Sequence, residues 1–290
     1  MASREIDRAP SVVGVPKRRP WSHTWLQILV VGVILFVALV EALQATGNPN
    51  YIPSMLMIGA FLVPVVFVSY IYDHEHIRDV AVPTVAFCFL WGGIVGTVVA
   101  GVLEYETTQR FGVLPLLAVG VIEEGAKLLA PLTLFARGRY RSEADGLLFG
   151  VASGMGFAAL ETMGYGFVGL LQSHGSVGVI EQLLLIRGIL SPAGHAAWTG
   201  LICAVLWRER LRAGHVVINW AVISAFLVAV VLHALWDTFN GLTATSLVGS
   251  LGVLLVSLVI AGISIVLLVR RIREAGRAQL AAGGDEPVLP

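Results

Sequence analysis

Charge is what this sequence has least of. Only 13% of its 290 residues are Asp, Glu, Lys or Arg, against about 25% in an ordinary soluble domain. A chain so poor in charge cannot cover a soluble surface, which excludes a water-soluble globular protein. The formal net charge is zero, so no nucleic-acid partner is expected. Cysteine is nearly absent: Cys88 and Cys203 stand in separate apolar runs and read as packing thiols. The period-two alternation of a membrane β-barrel is missing. So is any internal repeat, which argues against an inverted-repeat transporter. There is no His-Glu-x-x-His motif, no soluble recognition domain and no long loop.

What remains is apolar. Hydrophobic residues make up 57% of the chain and the mean hydropathy is +0.83. Runs long enough to span a bilayer fall near 26–45, 53–72, 81–103, 112–134, 146–171, 183–207, 216–236 and 247–269. With barrels excluded, helices are left, and the expected fold is all-α: a polytopic bundle of about eight transmembrane helices in the cell membrane. The first run is too long for a signal-peptide core and reads as an uncleaved helix. Residues 1–25, with Pro10, Pro16, Pro20 and the basic Lys17, Arg18 and Arg19, read as a flexible tail. Residues 26–270 form the membrane domain, and 271–290 a second tail.

Positive charge sets the orientation. Sixteen of the 19 Lys and Arg fall in the N-terminal tail, the loop holding Arg78, the clusters Arg137–Arg141 and Arg208–Arg212, and the C-terminal segment from Arg270. The other side is left with Arg110 and Arg187, so both termini are expected in the cytoplasm. Gly146, Gly150 and Gly154 recur every four residues and mark the fifth run as an inner helix. The uncharged eighth run is expected to face lipid.

A small set of ionisable residues interrupts the spans: Glu123, Glu124, Lys127, Glu161, His195, His233 and Asp237. Each charge at mid-membrane costs at least ~2.5–3.5 kcal/mol, so each needs a partner or a function. Counting from the cytoplasmic charges at about 1.5 Å per residue puts Glu123 ~21 Å deep, His195 ~20 Å, and Glu161 and His233 ~27 Å. Four helices therefore bring titratable groups to a similar level, in the outer half of a core ~30 Å thick. Lys127 lies four residues from Glu123 and three from Glu124, so it can pair with either. Glu161 is a further candidate partner for it. His233 and Asp237 are also four apart, which lets the carboxylate orient the imidazole. Pro131, Pro192 and Gly194 break helices beside these groups. His74 and His76, in Asp-His-Glu-His, sit in a loop and have a weaker claim to a metal.

These motifs, Glu-Glu-Gly-Ala-Lys at 123–127, Gly-Phe-Ala-Ala-Leu-Glu at 156–161, Ser-Pro-Ala-Gly-His at 191–195 and His-Ala-Leu-Trp-Asp at 233–237, occur in the order found in PrsW-type intramembrane proteases. The chain resembles that family, distant relatives of the CAAX prenyl endopeptidases. Glu161 in place of a histidine and the closing His-x-x-x-Asp depart from the prenyl branch. The resemblance implies an endopeptidase that cuts a membrane-anchored protein, such as an anti-sigma factor, near the extracytoplasmic side. The expected substrate is a single-span membrane protein within the lipid bilayer.

The expected catalytic set is Glu123, Glu124, Glu161, His195, His233 and Asp237, with Lys127 as counter-charge. Water is activated between Glu123 and His195, Glu124 or Glu161 returns the proton, and His233 with Asp237 holds the oxyanion. This glutamate-type route requires no cofactor. A zinc route on His195, His233 and Glu161 stays open. A proton-coupled transporter, or a non-catalytic partner-binding protein, is the alternative.

Overall fold

The computed structural model describes residues 23–74, 80–112, 114–241 and 247–283. It is organised around one glycine-lined helix, α6 (Glu143–Gln172). Ser142 and Asp145 start this helix with a reciprocal capping box: the Ser142 hydroxyl accepts from the Asp145 amide, and the Asp145 carboxylate from the Ser142 amide. Its glycines then bring two neighbours against its backbone. On one side lies α8 (His195–Ala213). A Cβ on Gly150 would sit 2.5 Å from the Thr199 carbonyl, and one on Gly146 2.7 Å from that of Cys203. On the other side lies α3 (Val82–Phe111), where Gly93 would meet the Gly156 carbonyl at 2.8 Å. Buried residues fill α6 along most of its length. The inner position expected from the glycine spacing is the one observed.

Around this centre are α1 (Thr24–Thr46), α2 (Ile52–His74), α4 (Leu116–Lys127), α5 (Leu129–Arg137), α7 (Val177–Leu190), α9 (Trp220–Asn240) and α10 (Leu247–Gly283), with no strand among the described residues. Among the described residues, seven candidate spans are long and apolar enough to cross a membrane. The fold is an all-α polytopic bundle.

The expected run at 112–134 is not one helix. It divides at Leu128 into α4 and α5. Pro131 supplies the cause: it has no N–H to give to the Lys127 carbonyl four residues earlier. That carbonyl instead accepts from the Ser153 hydroxyl of α6 at 2.5 Å, and the absence of a side chain on Gly92 leaves room for Ser153. The run at 183–207 is divided too, by a 3-10 turn at Ser191–Ala193 between α7 and α8. Both breaks lie beside the polar cluster.

The last helix differs from its expectation on one face. Leu255, Val259 and Val266 are exposed, but Ile260, Ser264 and Leu268 are buried towards the bundle. It also continues through Gly283 into the segment read as a tail. Most of the N-terminal tail, and His76 of the two-histidine motif, lie outside the described residues. Cys88 and Cys203 are buried free thiols, as expected.

Candidate active site

The break after Lys127 fixes where its side chain goes. At the end of α4 the Lys127 ammonium is fully buried and has three acceptors: Glu124 Oε1 at 2.9 Å, Glu123 Oε2 at 3.1 Å and His195 Nδ1 at 2.8 Å. An ammonium has three hydrogens and no acceptor, so these three contacts satisfy it completely. The Phe157 ring lies 4.3 Å from the same nitrogen and adds a cation–π contact.

The two glutamates are adjacent in sequence and unlike in surroundings. Glu124 is wholly buried. Its Oε1 also faces His233 Nδ1 at 3.0 Å, and its Oε2 accepts from the Thr199 hydroxyl at 2.9 Å. Glu123 uses one oxygen, Oε2, towards Lys127 and, at 3.4 Å, His233 Nε2. Its side chain keeps 10% of its surface open, and no group among the described residues bonds its Oε1. Glu124 is therefore an anchor, and Glu123 has an oxygen to spare.

The histidines are held differently as well. Because an ammonium can only donate, His195 Nδ1 accepts from it, and the ring proton resides on Nε2. That nitrogen faces Glu161 Oε2 at 3.2 Å. His195 Nδ1 is thus taken, and its Nε2 is turned towards Glu161, not towards the water it was expected to share with Glu123. His233 faces Glu123 instead, with Nε2 3.4 Å from both Glu123 Oε2 and Asp237 Oδ2. Trp198 stacks on the His233 ring at 4.7 Å between centroids and is itself held by its indole N–H on Ser264 of α10.

All seven residues singled out in the sequence converge here, but Glu161 takes other partners than the expected Lys127. It pairs with Arg187 Nη2 at 2.9 Å and with His195. Ser191, four residues before His195, is no nucleophile, since its hydroxyl bonds the carbonyls of Arg187 and Gly188.

Several contributors were not anticipated. Thr199 lies one turn beyond His195, and that spacing was the available signal. Glu104 brings another carboxylate into electrostatic range of Glu123, Glu161 and Asp237. The expected span ended one residue before it, whereas α3 runs on to Phe111. Trp198, three residues from His195, carried the same spacing signal, whereas Ser264 stands in an apolar run that no spacing rule distinguishes. Thr199→Val is expected to destabilise the fold by about 1.5–3 kcal/mol, the worth of a buried bond to a charged group. Thermal unfolding in detergent checks it.

A multi-pass helix bundle with a carboxylate–ammonium–imidazole centre on its inner helices has the architecture of an intramembrane enzyme. Residues 81–268, about two thirds of the chain, match the model of the PrsW family intramembrane metalloprotease. The chain belongs to this family, and it is an intramembrane protease whose substrate is a membrane-embedded protein. No curated protein and no solved structure matches it.

The family description implies a metal ion, for which His195, His233 and Glu161 were the expected ligands. The residues as arranged do not fit one. His195 Nδ1 accepts from Lys127 and its Nε2 lies against Glu161, whose same oxygen is paired with the Arg187 cation. His233 Nδ1 is turned to Glu124. The space among Glu123, Glu124 and His195, where a cation would gather ligands, is taken by the Lys127 ammonium. Among the described residues no group of three or more His, Cys, Asp or Glu is set to hold a metal.

Proposed function

We propose that this chain cuts a single-span membrane protein near the extracytoplasmic side by glutamate-driven hydrolysis. The observation carrying this reading is the unequal pair: among the described residues, only Glu123 of the two glutamates has an oxygen with no protein partner, and its other oxygen lies 3.4 Å from His233 Nε2. A water on Glu123 Oε1 gives up its proton to the carboxylate as its oxygen attacks the scissile carbonyl carbon. His233 has carboxylates on both ring nitrogens, Glu124 on Nδ1 and Glu123 and Asp237 on Nε2, and acts as the imidazolium, its Nε2 proton moving from Asp237 to the developing oxyanion. Glu123 then passes its proton to the leaving amine as the C–N bond breaks, which restores the carboxylate. Glu124 holds Lys127, His233 and Thr199 in place, while His195, with Glu161 against its other nitrogen, completes the acceptors around the ammonium. Lys127 holds Glu123 by Oε2 and so leaves Oε1 for the water.

The test is Glu123→Gln in purified, lipid-reconstituted protein, with a single-span substrate found among membrane proteins that accumulate when this chain is removed. The amide retains an acceptor for Lys127, so the fold should hold. Cleavage should fall by about 10²–10⁴-fold, the range for removing a general base. A folded E123Q protein that cuts at the parent rate sinks the reading.

A further inference from the structure

Arg187 was expected at the outer rim, as one of the few positive charges on that side. It is instead built into the polar centre from α7. Its Nη2 lies 2.9 Å from Glu161 Oε2 and its Nε donates to the Thr162 hydroxyl at 3.3 Å. The guanidinium also covers the Tyr165 ring at 4.1 Å. Glu161, Thr162 and Tyr165 lie along one stretch of α6, so the planar cation is held by three groups of a single helix. On the far side, the same Glu161 oxygen faces His195 Nε2 at 3.2 Å.

This arrangement spans a weak point of the chain. Arg187 stands in the last turn of α7 and His195 begins α8, and between the two helices run the 3-10 turn and Gly194, with φ −107° and ψ −102°. No continuous helix fixes the angle at which His195 enters the site. The Arg187–Glu161–His195 chain ties both sides of that corner to α6. Arg187 falls within the candidate span Val177–Ala213; a charge in a span is retained for a function or a partner, and an arginine supplies a rigid fork that a lysine lacks.

We infer that Arg187 is the positioning residue of the site, setting the Glu161 carboxylate and, through it, the His195 ring that completes the Lys127 cradle. Arg187 touches no reacting atom. Its effect belongs in kcat, because it governs where the cradle sits when Glu123 acts. The inference rests on hydrolysis at this centre; E123Q tests that reading, and the Arg187 series is read in protein that keeps Glu123.

The experiment measures kcat and KM for Arg187→Met, Arg187→Lys, Glu161→Gln and the double variant Glu161→Gln/Arg187→Met, reconstituted in lipid. R187M should lower kcat by on the order of 10²-fold, the loss expected from a displacement of about 1 Å in a catalytic group, with KM little changed. R187K should recover part of the loss, since it restores the charge without the fork. The double variant should be no slower than E161Q alone, because both changes break one chain. Should R187M fail to fold, R187K carries the test: a lowered kcat with unchanged KM supports the inference. Full activity in R187K, independent losses that multiply in the double variant, or an effect on KM alone overturns it.

Discussion

Lys127→Met is expected to destabilise the folded protein by about 3–5 kcal/mol, the typical consequence of removing one partner from a buried ion pair, and to abolish cleavage. Methionine is close to lysine in length and volume, so packing is largely preserved. What is lost is the one cation that lies between two neighbouring carboxylates. Lys127 and Glu124 have no exposed side-chain surface at all, so water cannot replace the ammonium. The remaining group, His195 Nδ1, loses its donor as well. Adding Glu124→Gln to K127M should recover part of the stability, because a neutral amide leaves one buried charge fewer to be compensated. Thermal unfolding in detergent, followed beside cleavage, measures both effects. K127M with the parent's stability would show that the ammonium is not the counter-charge.

That prediction was within reach of the sequence because its geometry is local. Glu123, Glu124 and Lys127 lie within one helical turn or slightly more, and spacing alone puts them on a common face. The same holds for His233 and Asp237. The membrane supplied the rest: a charge in an apolar run needs a partner, and similar depths on four helices implied one site. What the sequence did not reveal are relations between helices. The choice between Lys127 and Arg187 as partner for Glu161 depends on how α6, α7 and α8 meet. The difference between Glu123 and Glu124 depends on Thr199 and His233, which approach from two other helices. Pro131 announced a break, but which group would take up the freed Lys127 carbonyl could be learned only by seeing Ser153 opposite it.

The glycine column offers the second large effect, and here two contributions oppose each other. Gly154→Ala gains up to about 1 kcal/mol of intrinsic helix propensity. Against it, the new Cβ would overlap the His195 carbonyl and stand 3.2 Å from the Thr199 hydroxyl. Neither neighbour is a flexible side-chain end: one is backbone, and the other is committed to Glu124. Overpacking of this kind costs about 1–3 kcal/mol, so the net change is a loss of stability. Activity should suffer more. To accommodate the methyl group, α8 must move away from α6 at the very turn that carries His195 and Thr199. A shift of about 1 Å there is enough for a loss on the order of 10²-fold in kcat. Gly164→Ala, on the same helix with open space around the new Cβ, should leave cleavage and unfolding close to those of the parent. Comparing the two separates crowding at His195 from any general effect of replacing glycine in α6. Equal activity in both would mean that the α6–α8 approach does not set the position of His195.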